Sequence, residues 1–177
     1  MRNLEYKARI EDARPLIARA RALGFDLWGD LRQTDTYFAT PRGRLKLRET
    51  AGFQAELIFY ERDELGADRA SDYEVAHSHE PEQLRAVLSR ALGALTTVRK
   101  RRTLLVLDGT RLHLDNVEAL GTFVEIEVPV RDNDAQARER MDSLLGELGL
   151  GWDACIRASY LDLMIESQQA DGEQVSG

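Results

Sequence analysis

Cysteine is almost absent from this chain. Its one thiol, Cys155, can form neither an internal disulfide nor a multi-thiolate zinc site, so redox and structural-zinc readings fall away. Long apolar runs are missing too: no stretch approaches the roughly 18 residues that span a bilayer, and no membrane span is expected. The opening Met1-Arg2-Asn3-Leu4-Glu5 is charged at once and lacks an apolar signal segment, so a cytoplasmic protein is expected. Net positive charge is lacking as well. At −7 and a pI near 5.1, the chain is a poor candidate for binding duplex nucleic acid. Lysine is scarce: of 24 basic residues only Lys7, Lys46 and Lys100 are lysine. What remains is 177 residues, 43% hydrophobic and 31% charged, the composition of one soluble globular domain.

Periodicity divides the chain into strands and helices. Leu4 to Ile10 alternates strictly, with Glu5, Lys7 and Arg9 on one side. Strands are predicted over 33–39, 44–49, 54–62, 72–76, 98–107 and 122–130, and helices over 12–23, 81–92, 135–148 and 152–165. From Ser167 onward the chain is polar and reads as a disordered tail, leaving residues 1–166 as the folded unit. Asp108-Gly109 suits a type I′ hairpin, which sets a register: Arg102 opposite Asp115, Leu104 opposite His113, Val106 opposite Arg111.

The charged sides of these strands collect Glu5, Lys7, Arg9, Arg44, Lys46, Arg48, Glu56, Arg62, Lys100, Arg102, Arg111, His113, Asp115, Glu125 and Glu127. All three lysines are among them, and cations outnumber carboxylates in a protein that is acidic as a whole. A solvent-facing sheet explains any one strand. Across all of them the near-absence of Ser, Thr and Gln favours a closed barrel with its charged faces turned inward. Such a barrel needs a counter-charged guest, because unpaired buried charge is costly. A polyanion with a divalent metal answers that need: cations hold phosphate oxygens, and the metal bridges them to carboxylates.

Several segments together resemble the CYTH domains, or triphosphate tunnel metalloenzymes: Asn3-Leu4-Glu5-Tyr6-Lys7, Gln33 to Phe38, Gly43 to Arg48, Glu56-Leu57-Ile58, Lys100-Arg101-Arg102 and His113 through Glu127. The nearest likeness is to the class IV adenylyl cyclase and thiamine-triphosphatase branch. The resemblance implies an α+β fold built on an antiparallel eight-stranded β-barrel flanked by helices, binding a linear triphosphate with Mg2+ or Mn2+. It implies metal-site carboxylates at Glu5, Asp115, Glu125 and Glu127. It implies phosphate ligands at Lys7, Arg9, Arg44, Lys46, Arg48, Arg62, Lys100 and Arg102. One slot departs, since Asn3 stands where the family signature begins with Glu, and an amide oxygen is a weaker ligand for a hard cation.

The resemblance makes conversion of ATP to cyclic AMP and pyrophosphate the leading expectation. Hydrolysis of tripolyphosphate, thiamine triphosphate or a nucleoside triphosphate is the alternative, and binding without turnover a third reading. Tyr37 and Lys46 are the candidates for proton transfer. The expected partner is a small-molecule triphosphate, with a homodimer compatible by analogy. His77 and His79 lack a third nearby ligand and read as a solvated loop. Arg99 and Arg101 read as external salt-bridge partners and Cys155 as a core residue of the last helix, while Trp28 and Trp152 read as apolar anchors under helices, with stacking on a base as the alternative.

Overall fold

The computed structural model describes residues 2–62 and 70–174, with side chains described for 2–61 and 72–170. Eight strands, β1 (Arg2–Arg9), β2 (Asp26–Phe38), β3 (Arg44–Thr50), β4 (Ala55–Arg62), β5 (Ala70–Ser78), β6 (Ala94–Leu107), β7 (Thr110–Val117) and β8 (Gly121–Pro129), close into an antiparallel barrel. Its order is β1-β5-β4-β3-β2-β6-β7-β8, each neighbouring pair antiparallel. Closure removes the exposed strand edges that would otherwise recruit other chains. Helices α1 (Arg14–Ala22), α2 (Pro81–Leu92), α3 (Asp134–Leu148) and α4 (Tyr160–Gln174) flank it.

The β6–β7 hairpin forms as its sequence predicts. Asp108 and Gly109 both have positive φ, 50° and 81°, as a type I′ turn requires. Arg102 pairs with Asp115, Leu104 with His113 and Val106 with Arg111. Because side chains alternate, this register puts Lys100, Arg102, Arg111, His113 and Asp115 on one face.

That face is the inside. The outward residues Tyr6, Ala8, Leu112, Leu114, Val124 and Ile126 pack with Leu16 and Ala20 of α1 and Met141, Leu145 and Leu148 of α3. A smaller outer cluster joins Phe38, Leu47 and Ala55 to Leu84 and Leu88 of α2. The third cluster lies inside the barrel at one end, where inward-facing Tyr37, Tyr60, Val98, Val117 and Phe123 meet Tyr160, Leu161 and Met164 of α4. With both outer helix layers on the apolar side of the wall, the charged side chains are left facing one another.

β5 and β6 begin at Ala70 and Ala94 instead of 72 and 98, and three further differences change the reading. β2 starts at Asp26 instead of 33, because a bulge between Leu27 and Gly29 breaks its alternation. The helix predicted over 152–165 divides into a 3₁₀ turn, Trp152–Ala154, and α4. Between them Cys155 is extended, and the Ile156 N–H donates to the Lys7 carbonyl at 2.7 Å. Cys155 is therefore a partly buried packing residue outside any α-helix. The segment read as a tail from Ser167 is the continuation of α4 to Gln174; its start is rich in straight-chain helix formers, and Gln168 Nε2 donates to Thr96 Oγ1 at 3.4 Å. Residues 175–177 lie outside the described residues. Among the described residues no helix is long and apolar enough to cross a membrane.

Candidate functional site

The inward faces enclose a cavity of about 590 Å³, within the range of small-molecule sites. The α4 cluster fills one end of the barrel, while Trp28, Phe53 and Gln54 ring the other. Six cations line it, Lys7, Lys46, Arg48, Lys100, Arg102 and Arg111, with four carboxylates, Glu5, Glu56, Glu125 and Glu127. Two more inward carboxylates, Asp35 and Asp115, lie behind the cations and are 0% exposed.

Each buried charge has an opposite partner. Asp35 receives Arg48 through two bonds of 2.8 Å, Lys46 at 3.2 Å and Lys100 at 3.4 Å. Burial alone would raise its carboxyl; Arg48, Lys100 and Lys46 outweigh that and hold it well below the usual carboxylate range. Asp115 receives Arg102 at 2.6 and 2.5 Å and the Tyr160 hydroxyl at 3.0 Å. Glu125 sits 3.1 Å from Lys7 and 2.7 Å from Arg102. Glu127 is held by Arg111, whose Nε donates at 2.8 Å. His113 lies between Glu125 and Glu127, at 3.8 and 3.6 Å, and burial pushes its pKa down.

Two lysines depart furthest from their ordinary chemistry. Burial, reinforced by the neighbouring guanidinium of Arg48, brings Lys46 down to about 7. Burial and Arg102 bring Lys100 down to about 8. Tyr37 moves the other way, well above its usual value, through burial and the neighbouring Tyr60 and Asp35. Of the two proton-transfer candidates, then, Lys46 can exchange a proton near neutrality and Tyr37 stays a phenol.

Of the eight expected phosphate ligands, Lys7, Lys46, Arg48, Lys100 and Arg102 converge on the cavity. Arg9 does not line it: it is exposed, bonds the Leu120 carbonyl and lies 4.7 Å from the Phe123 ring centroid. Arg44 does not line it either, and reaches Asp162 of α4 at 3.0 and 2.9 Å. Both alternate correctly but stand at the end that α4 fills. Arg62 belongs to β4, and its side chain lies outside the described residues.

Of the four expected metal carboxylates, Glu5, Glu125 and Glu127 line the cavity, and Asp115 is engaged behind it. With its amide oxygen turned toward Arg111, Asn3 accepts from that guanidinium at 2.9 Å and donates to the Arg2 carbonyl at 3.1 Å. Sequence reasoning missed Asp35 and Tyr160. The pairing of Asp35 with Arg48 across β2–β3 was the available signal for the first.

A family model described as CYTH domain matches residues 1–160. The chain belongs to the CYTH domain family. Its relatives include the Methanocaldococcus jannaschii protein named "Putative adenylate cyclase MJ0240", 25% identical over 172 residues, which span 92% of this chain and 98% of that one. The solved structure of PH1012 from Pyrococcus horikoshii shares the fold, with a TM-score of 0.83 at 21% identity, covering 91% of this chain and 98% of the other. A Hippeastrum protein, HpAC1, described as revealing a dominant triphosphatase activity, has a TM-score of 0.60 at 19% identity over 89% of this chain and 92% of its own.

CYTH proteins use divalent metals, and the donors here suit a hard cation. Glu5 stands directly opposite Glu127, and Lys7 opposite Glu125, so three carboxylates share one patch of the β1–β8 wall. Carboxylate oxygens are hard donors, the ligand type that a divalent cation such as Mg2+ takes. Among the described residues no three side chains form a ready-made metal cage. Magnesium does not need one, since it is held by one or two carboxylates together with substrate phosphates. This CYTH barrel would hold a metal through Glu5, Glu125 and Glu127 jointly with its guest.

Proposed function

We propose that this CYTH protein is a metal-dependent enzyme acting on a linear triphosphate, and that its reaction is conversion of ATP to cyclic AMP and pyrophosphate. The observation that carries the reading is the convergence of Lys7, Lys46, Arg48, Lys100 and Arg102 on one enclosed cavity beside Glu5, Glu125 and Glu127. Arginine forks and lysine ammoniums match the oxygens of a phosphate chain. Counting Asp35 and Asp115, six basic side chains face six carboxylates among the described residues, so the wall carries no excess positive charge before a guest arrives. Such a wall suits a guest whose own charge comes partly neutralised, which is a triphosphate carrying divalent metal.

In the cyclase reaction the cationic wall orients the phosphate chain and excludes water. Lys46 Nζ, near neutrality, accepts the ribose 3′-hydroxyl proton. The freed O3′ bonds to the α-phosphorus as the bond to the bridging oxygen breaks, and pyrophosphate departs against Arg48, Lys100 and Arg102. Glu5, Glu125 and Glu127 would hold a divalent metal, which would supply Lewis acidity to the phosphate chain.

Hydrolysis is the second reading, favoured by the triphosphatase activity named for the Hippeastrum neighbour. Phosphorus NMR of the protein with Mg2+ or Mn2+ and, separately, ATP, thiamine triphosphate and tripolyphosphate separates the two. Pyrophosphate with cyclic AMP from ATP supports the cyclase. Orthophosphate from any of the three supports hydrolysis. Binding with no product in any mixture contradicts both and leaves a sensor.

A further inference from the structure

The mouth of the cavity carries apolar surface that a phosphate chain does not use. Trp28 and Phe53 are each 56% exposed, with ring centroids 5.7 Å apart and planes tilted by 34°, and both line the cavity. Trp28 is therefore not the anchor under a helix that its sequence context suggests.

Its placement is built into the strand. Along β2, Leu27 pairs with Leu105 and Gly29 with Leu104, which leaves Trp28 as the unpaired residue of a β-bulge. Bulges re-aim a side chain and concentrate beside active sites. This one presents the indole to Phe53, which lies in the β3–β4 turn between Thr50 and Ala55. Two large rings held in water are unfavourable in proportion to their apolar area, and a second ring laid on them relieves that exposure.

Further along the same strand is an unmet hydrogen bond. Gln33 is 6% exposed and lines the cavity. Its Nε2 donates to Thr50 Oγ1 at 3.2 Å, while its Oε1 has no partner among the described residues. With Nε2 turned to Thr50, the free Oε1 takes a donor, which an N–H supplies and an ionised phosphate oxygen does not. The cavity thus offers, between solvent and the cationic wall, an aromatic platform and one orphaned acceptor.

We propose that Trp28, Phe53 and Gln33 form a base subsite that takes the amino-bearing nucleobase of a nucleoside triphosphate, the ring stacking on Trp28 and Phe53 and the exocyclic amino group donating to Gln33 Oε1. The proposal rests on the triphosphate reading of the inner wall. It adds selection of organic over inorganic triphosphates.

Titration calorimetry with Mg2+ tests it, using α,β-methylene ATP and inorganic tripolyphosphate against the wild type, Trp28→Ala and Phe53→Ala. Each variant is expected to weaken the nucleotide about tenfold, the scale of one lost base–aromatic stack, and to leave tripolyphosphate within about twofold. Retained tripolyphosphate binding also reports an intact barrel. Equal losses for both ligands, or no loss for either, overturn the subsite. So does a change from dimer to monomer in Trp28→Ala with nucleotide affinity unchanged, which would assign the rings to contact between copies. The α,β-methylene analogues of CTP and UTP differ by an amino group against a carbonyl; tighter CTP binding supports the Gln33 bond, and equal binding overturns it. Wild-type binding of tripolyphosphate without the nucleotide defeats this inference alone, whereas binding of neither ligand defeats the triphosphate reading and the subsite with it.

Discussion

Asp35 joins three of the cavity's cations on one carboxylate: Arg48, Lys46 and Lys100 all donate to it. That arrangement lets a wall of like-charged ammonium and guanidinium groups stand without a guest, and it sets how Lys46 titrates. Lys46 faces Asp35 and Tyr37 from β2, Arg48 on its own strand, Tyr60 from β4 and Lys100 and Arg102 from β6. Burial and the surrounding cations lower its pKa to about 7, and Asp35 opposes them. As a base it must be neutral, so kcat/KM for cyclic AMP formation should rise with pH through about 7 and then level off. Lys46→Arg should lower the plateau by about 10²-fold or more and remove the inflection, as a pH–rate profile would record. An unchanged inflection in that variant would remove Lys46 from the proton transfer. Asp35 itself is hard to find from sequence. It sits in the polar run Gln33-Thr34-Asp35-Thr36, which has no apolar alternation to give it a side. Lys46 and Arg48 were legible because Leu45 and Leu47 alternate with them and pack outward.

At the scale of elements, α4 turns a tunnel into a pocket closed at one end. Its start is fixed by a reciprocal cap: Ser159 Oγ accepts from the Asp162 N–H at 3.2 Å, and Asp162 Oδ2 accepts from the Ser159 N–H at 2.8 Å. Asp162 also takes Arg44, Tyr160 reaches Asp115, and Lys7 Nζ donates to the Ala158 carbonyl at 3.1 Å. Ser159→Ala should therefore destabilise the fold by about 1 kcal/mol, a fall of roughly 2–4 °C in Tm for a chain of this size. Thermal unfolding checks it, and an unchanged Tm would remove the cap from the fold's stability. The capping pattern Ser159-x-x-Asp162 was visible in the sequence, yet the apolar spacing of Trp152, Ile156 and Tyr160 masked it by continuing a helical period through an extended linker. The opposite case is the β6–β7 hairpin, legible because Asp108-Gly109 permits few backbone solutions. The first half of β2 was hidden because the Trp28 bulge shifts its register.

For the whole molecule, the decisive feature is that α1, α2 and α3 cover the apolar outside of the barrel and leave its inside to ions and, at one end, to α4. Alternation along each strand was enough to read that segregation, because a one-residue slip would exchange the two faces. What alternation could not supply was depth. Arg9 and Arg44 have the right parity but stand at the end occupied by Phe123, Tyr160 and Leu161, and Asp115 has the right parity but lies behind Arg102. The central claim is that the remaining inward charges bind a linear triphosphate, and titration calorimetry of inorganic tripolyphosphate with Mg2+ tests it most directly. Saturable binding of one equivalent per barrel is expected, weakened at least about tenfold by Lys46→Gln and by raised ionic strength. No saturable heat, or binding that Lys46→Gln leaves untouched, would contradict it.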